Sequence, residues 1–324
     1  MLNGKKVFIV GDANVDIIVP YPKFLNPERT NVKYPTPCMQ GGGTAANTAV
    51  ALGRLKIPVE FLGTLGDDQY GSYVMKDFRD EGVGTKHIIV DEQLHTVGVF
   101  AFIDEYGERY LWGWPRTQQA FKVLEEDKVD YTVIKNAAWV HSSGMAMVHN
   151  TSARHTILKI LKTAKEAGVP TSFDLNLRVN NGELEDDYKE AVMQAMGYCN
   201  YILGSGEEEF YYLHPMEDWA DSVKYFAAPD RILIARMGKK GSMAVTNVKT
   251  ITQAAFPVTV SDTVGAGDVY NAGFIAARLQ GKALKDCLIQ GNAVSGYTVS
   301  KKGARSCPDR QQTDTFIKQY SATS

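Results

Sequence analysis

The sequence predicts an α/β fold, a mostly parallel sheet with helices on both faces and a small accessory β-structure beside it. Two observations lead there. Short apolar runs ending at Gly or Asp alternate with stretches whose apolar residues recur at helical spacing, the pattern of strand–helix–strand units. Two further segments break that alternation, one studded with prolines and one reading as paired strands. Size and composition agree: 324 residues, 44% hydrophobic and 22% charged, suffice for one large α/β domain or two ordinary ones.

In chain order, Val7–Val10 reads as a first strand ending at Gly11-Asp12. Lys5 and Lys6 precede it, but the apolar run is shorter than the about 7–15 residues of a secretory leader. Residues 13–37 carry Pro20, Pro22, Pro27, Pro35 and Pro37, which exclude a long helix. Residues 44–55 place Ala46, Ala49, Val50 and Gly53 at helical spacing, a small-residue face suited to close packing on a sheet. Residues 96–112 read as strands 97–103 and 109–112 joined by a turn at Asp104-Glu105-Tyr106-Gly107. This stretch and 13–37 form either an accessory sheet over one edge of the core or a solvent-facing hairpin. Ile157, Ile160, Leu161 and Ala164 mark another helix, stopped by Gly168 and Pro170. Residues 169–173 and 232–235 read as buried strands, and 266–280 as a long apolar helix. Ligands on such sheets bind beyond the carboxyl ends of the strands, which is where Asp12, Asp174 and the turn after Arg236 fall.

Composition excludes whole classes of function. With 35 Lys+Arg against 37 Asp+Glu, the chain has no overall basic field for nucleic acid or an anionic membrane. No apolar stretch approaches the ~20 residues of a membrane helix. Cys38, Cys199, Cys287 and Cys307 form no CxxC or zinc-type pair, as expected of reduced thiols in a cytoplasmic protein.

The most informative segment is Asp262-Thr-Val-Gly-Ala-Gly-Asp268, followed by Val-Tyr-Asn-Ala-Gly-Phe274. Two glycines and an alanine open a helix whose unpaired amides and dipole make an anion site. Asp268 there is either a simple helix-end charge or the base that phosphoryl transfer needs beside an anion hole. No G-x-x-x-x-G-K-[ST] loop and no protein-kinase motif set occurs. Gly41-Gly-Gly-Thr-Ala-Ala-Asn47 opens the first helix. Asn14 and Asp16 alternate so that both can point one way, to bond polyol hydroxyls or to cap a turn. In Asp174-Leu-Asn-Leu-Arg178, Arg178 either holds an anion or pairs with Asp186 or Asp187. Glu207-Glu-Glu209 opens an expected helix, as dipole-matched charge or as a ligand in a magnesium water shell.

Taken together, Gly11-Asp-Ala-Asn14-Val-Asp16, Gly42-Gly43-x-x-x-Asn47, Asp174-x-Asn176-x-Arg178 and Asp262-Thr-Val-Gly-Ala-Gly-Asp268 resemble the ribokinase-like (PfkB) family of carbohydrate kinases. The resemblance spans nearly the whole chain with its motifs in order. It implies a three-layer α-β-α core over residues 1–324 as a single domain, with a β-sheet lid from about 13–37 and 96–116. It implies that Asp268 is the catalytic base and that Gly265, Ala266 and Gly267 form the anion hole. Asn14, Asp16, Gly42, Gly43, Asn47 and Arg178 would hold the substrate. Arg236, Gly238, Gly241 and Asn292 would hold ATP. Glu209 would reach Mg²⁺ through water, and backbone around Asp262, Val264, Thr298, Lys301 and Gly303 would hold a monovalent cation such as K⁺.

Two departures from the family pattern stand out. Gly206 replaces the asparagine of an N-x-x-E motif, and Arg236 stands where a small hydroxyl residue is common. The expected reaction is transfer of the ATP γ-phosphate to a hydroxyl of a pentose, ketohexose or keto-deoxy sugar acid. The alternatives are a nucleoside kinase with Trp112 and Trp114 around a base, and a non-catalytic sugar-binding protein. Arg109 or Arg116 beside Arg178 would suit an anionic substrate. The expected partners are a small sugar and ATP, with neither nucleic acid nor membrane, and the lid by analogy joins a homodimer.

Overall fold

A computed structural model describes residues 4–20, 36–104, 109–179 and 182–321. The 21–35 part of the proline-rich segment and the 105–108 turn lie outside the described residues. The strands are β1 Val7–Val10, β2 Asn14–Pro20, β3 Cys38–Gly42, β4 Val59–Gly66, β5 Val83–Asp91, β6 Gly98–Ile103, β7 Arg109–Trp114, β8 Trp139–Ser143, β9 Thr171–Asp174, β10 Tyr201–Ser205, β11 Ile232–Arg236, β12 Ser242–Val245 and β13 Thr250–Gln253. The helices are α1 Thr44–Arg54, α2 Gln69–Asp80, α3 Tyr131–Lys135, α4 Ser152–Glu166, α5 Asp186–Gly197, α6 Tyr211–Leu213, α7 Trp219–Tyr225, α8 Ala266–Leu279, α9 Leu284–Val299 and α10 Arg310–Ser321.

Nine strands form the main sheet in the order β13-β12-β11-β10-β9-β8-β1-β4-β5. It is parallel except where β12 pairs antiparallel with β11 and β13. The central strands are buried on both faces, which is why they read as unbroken apolar runs. In β1, Phe8 and Val10 join a core with α4 and α5, while Val7 and Ile9 join a second core with α1 and α8. The chain steps from β1 to β4 and β5 on one side and from β8 to β11 on the other. The order therefore reverses between β1 and β8, where open α/β sheets form their ligand crevice.

A separate four-stranded sheet has the order β3-β2-β6-β7. It leaves the core directly after β1 and returns directly into α1. Phe100 packs on Trp112 on its outer face, and Tyr110 and Trp112 remain about half exposed. Leu111, on the opposite parity, faces inward over the crevice.

The expected helix start at Glu207 takes another form. Gly206–Phe210 is a π-helical turn leading into the short α6. There the Glu209 carboxylate folds back to accept from the amides of Ser205 (2.6 Å) and of Leu177 (2.7 Å), the latter distant in the chain. Among the described residues no helix is long and apolar enough to cross a membrane.

Two measurements test this packing. Phe274 of α8 is fully buried with its ring edge on Tyr201, so Phe274→Ala should lower the free energy of urea unfolding by about 3–5 kcal/mol. Val248→Ala, at a position 79% exposed, should change it by less than about 0.5 kcal/mol. Cys38 is exposed while Cys199, Cys287 and Cys307 are buried, and burial pushes the Cys199 thiol up to about 12. A thiol reagent should therefore label Cys38 rapidly in the native protein and all four cysteines only after unfolding.

Candidate active site

The crevice is built where the N-termini of α1 and α8 meet the carboxyl edge of the sheet. Helix α1 begins at Gly43 with no side-chain cap of its own. Its first amides are served from β1: Asp12 accepts from Thr44 N (2.8 Å) and Ala45 N (3.2 Å). Asp12 is thus a remote cap that fixes the helix start to the strand end. Helix α8 begins at Gly265, whose left-handed backbone (φ 73°) is a conformation glycine adopts without strain. Among the described residues no side chain caps α8; Ala266 N donates to the Thr263 carbonyl at 3.2 Å, which leaves the amides of Gly265 and Gly267 for an anion.

Asp268 lies in the first turn of α8 and is 6% exposed. Asn47 Nδ2 donates to its Oδ2 at 2.8 Å, and Thr48 Oγ1 donates to its backbone carbonyl at 3.1 Å. These bonds tie α1 to α8 across the crevice. They also turn the amide nitrogen of Asn47, expected among the sugar contacts, onto Asp268. Asn47 Oδ1 is left buried without a protein partner. Burial raises the Asp268 pKa well above the ordinary carboxylate value; Asn47 and Arg236 oppose the rise, and Asp174 and Asp12 add to it. A carboxyl poised in that way suits a proton acceptor.

Asn14 and Asp16 project from the same side of β2, with Asn14 Nδ2 donating to Asp16 Oδ1 at 2.7 Å. Gly42 pairs opposite Asn14, and a Cβ there would stand 2.5 Å from Asp16 Oδ2. The glycine is what makes room for both polar side chains. With Gly43, Asn47, Arg178 and the 265–268 turn they line a cavity of about 410 Å³ roofed by Leu111. A smaller apolar cavity of about 190 Å³ adjoins it beneath the inner face of the small sheet, lined by Ile18, Val99, Ala101 and Ile103.

Arg178 reaches this cavity with its guanidinium beside Met145 Sδ (3.1 Å). Asp187 is taken by Arg154 at 2.7 Å. Arg116 is exposed and is not part of the cavity wall; the side chain of Arg109 lies outside the described residues. Trp112 stands on the outer face of the small sheet, away from the cavity.

The residues expected to hold the nucleotide gather on the far side of the 265–268 turn. Gly238 and Gly241 shape the connection between β11 and β12, where Gly241 (φ 103°) lies against the Gln253 carbonyl. Asn292 on α9 donates to the carbonyls of Gln253 (3.2 Å) and Ala254 (3.1 Å), pinning the segment after β13. Arg236 is mostly buried and bonded to Asp174, Glu209 and Asn271. Burial raises the Glu209 pKa, and Arg236 holds it back. Asp262, Val264, Thr298, Lys301 and Gly303 lie in two neighbouring turns. The Asp262 carboxylate accepts from Val264 N and Gly303 N, each at 3.0 Å, and the Thr298 carbonyl accepts from Lys301 N at 2.9 Å.

Sequence reading assigned no role to Asp12, Asn176 or Asn271. Asn271 had a signal, since it follows Asp268 by three positions on an apolar helix. Asn176, at φ 33° with a buried Oδ1 that has no protein partner, stood in the Asp174-x-Asn176-x-Arg178 motif without a role of its own.

This arrangement has relatives. The chain is 28% identical over 285 residues to a 5-dehydro-2-deoxygluconokinase of Geobacillus thermodenitrificans, covering 86% of this chain and 83% of that one. It is 31% identical over 280 residues to an ATP-dependent ribose-1-phosphate kinase of Halopiger xanaduensis, covering 86% of each. The solved structure of a fructokinase with bound ATP from Xylella fastidiosa shares the fold, with TM-score 0.83 at 22% identity over 98% of this chain and 99% of that one. The family model described as pfkB family carbohydrate kinase matches residues 4–311. The chain therefore belongs to the pfkB family of carbohydrate kinases and is a phosphotransferase whose acceptor is an alcohol group.

Proposed function

We propose that the protein transfers the γ-phosphate of ATP to a hydroxyl of a small sugar, with Asp268 as the general base. The observation that carries this reading is a buried carboxylate in the first turn of α8, at a helix start and facing a cavity lined by the polar side chains of Asn14, Asp16 and Arg178. Asn14 and Asp16 hold sugar hydroxyls from one wall. Asp268 takes the proton of the attacking hydroxyl, and the amides of Gly265, Ala266 and Gly267 face the charge developing on the transferring group. Gly42 leaves room beside Asn14 and Asp16, and Gly43 lines the cavity at the start of α1. The small sheet acts as a lid, with Leu111 excluding water from the reacting atoms.

ATP lies on the other side of the turn, against the connection carrying Gly238 and Gly241 and the face of α9 carrying Asn292. The donors fit Mg²⁺ arriving with the nucleotide. Among the described residues no group of three or more His, Cys, Asp or Glu forms an all-protein cage, and Mg²⁺ favours few carboxylates and several waters. Burial raises the pKa values of Asp12, Glu209 and Asp268, and a cation beside them would favour their ionised forms. When bound, magnesium supplies charge neutralisation at the phosphates, with Glu209 reaching it through water. A monovalent cation such as K⁺ beside Asp262, Val264, Thr298, Lys301 and Gly303 belongs to the same reading. The aromatic outer face of the lid suits a second copy of the chain.

Arg178, unpaired with any acid among the described residues, favours a keto-deoxy sugar acid over a neutral pentose or ketohexose. A second reading, a nucleoside substrate, is favoured by the adjoining apolar cavity, which would take a base.

ATP consumption against pentoses, ketohexoses, keto-deoxy acids and nucleosides separates these substrates. Asp268→Asn should lower kcat by about 10³-fold or more while sparing ATP affinity; a near-normal rate overturns the base assignment. The base must be ionised, and its pKa lies above the carboxylate range. kcat/KM should therefore fall as pH drops through a midpoint above that of an ordinary aspartate. Arg178→Met should raise KM for a sugar acid by about 10–100-fold and leave a neutral sugar unaffected.

A further inference from the structure

Arg236 closes β11 directly beneath the first turn of α8, with 16% of its side chain exposed. Nη2 donates to Asp174 Oδ1 at 2.8 Å and lies 3.4 Å from Glu209 Oε2. Nη1 donates to Asn271 Oδ1 at 2.7 Å and reaches the Gly267 carbonyl at 3.4 Å. Asn271 Nδ2 in turn donates to Asp174 Oδ2 at 2.9 Å. Arginine, asparagine and aspartate close a triangle in which each partner fixes the other two. Through it one guanidinium joins the ends of β9 and β11, the turn after β10 and the start of α8.

The contact with α8 is intimate. A Cβ on Gly267 would stand 3.2 Å from Arg236 Cζ, closer than ordinary van der Waals contact. Glycine at 267 thus lets the helix turn settle on the guanidinium. The amides of that turn face the cavity on one side, and the cation lies on the other. Across from it, the Trp219 ring lies against Gly206 and leaves no space for a polar side chain.

We propose that Arg236 is a positioning residue for phosphoryl transfer. It seats the first turn of α8 so that the 265–267 amides and Asp268 are aimed at the reacting group, and it offsets the Asp174 and Glu209 carboxylates that lie behind that turn. This rests on the kinase reading of the site and adds a residue to it. A guanidinium serving only as a fold clamp would influence stability and leave the turnover of folded molecules intact.

The test uses Arg236→Ala, Arg236→Lys and the double variant Arg236→Ala/Asp174→Asn, which removes the buried charge that the single change strands. Thermal melts establish that each is folded. Arg236→Ala should lower kcat about 10²-fold with sugar KM changed less than about 3-fold, and sub-denaturing guanidinium should restore part of the rate. Arg236→Lys keeps the charge without the triangle and should fall between. The double variant should stay slow even when as stable as the wild type. By calorimetry, inorganic phosphate should bind Arg236→Ala about 10-fold more weakly. A folded Arg236→Ala with wild-type kcat, or a double variant restored to wild-type kcat, overturns the proposal. Wild type assayed alongside keeps the two readings apart. If wild type turns over no sugar, the kinase reading fails and phosphate affinity alone decides: a drop sustains the role of Arg236, and unchanged affinity overturns it.

Discussion

Everything at this site depends on two helix N-termini being brought to one crevice and held there by buried carboxylates. Asp12 holds the start of α1 to the end of β1, and Asp268, through Asn47 and Thr48, holds α8 to α1. Each carboxylate is itself costly to bury, as its raised pKa records. The fold tolerates that cost because helix amides and Arg178 act on Asp12, and Asn47 and Arg236 on Asp268. Excess negative charge facing a site for an anion looks paradoxical. It resolves if the free amides, Arg236 and an incoming cation share the work of neutralisation.

The sheet order explains why these groups meet. A reversal between β1 and β8 opens a gap above their carboxyl ends. Asp12, Asp174, Arg236 and the turn after β10 all lie along that edge, although they are far apart in sequence. The burial that stabilises the sheet leaves its edge as the place where polar groups collect. Stability and chemistry are thus assigned to different parts of the same strands.

Much of this was legible in the sequence because it is local. The apolar runs of β1, β9 and β11, the helices 44–55 and 266–280, and the paired strands within 96–112 are written in residue spacing, whereas the prolines of 13–37 only excluded a long helix and β3 lies beyond that stretch. The Asp262–Asp268 segment is local too, and it does open the long helix expected there, α8, at Gly265. What stayed hidden depends on partners distant in the chain. Arg236 read as part of a nucleotide loop, yet its bonds run to Asp174, Glu209 and Asn271. The π-helical turn at Gly206–Phe210 was read as an ordinary helix start, since nothing nearby shows that Glu209 bonds back to Leu177. Trp112 and Trp114 suggested a stacking platform. Only the pairing of β6 with β7 reveals that Leu111 takes the inward parity and Trp112 the outward one.

The small sheet is attached in a way that has a further consequence. Its first strand follows β1 across three residues, 11–13, that include Asp12, and its second ends at Gly42, immediately before α1. There is no linker between the sheet and the crevice. Asn14, Asp16 and Gly42 are at once its root and one wall of the cavity. The cavity wall and the geometry of the sheet are therefore inherited together. Transplanting this element from a homologue would transplant that wall with it, over an unchanged start of α8.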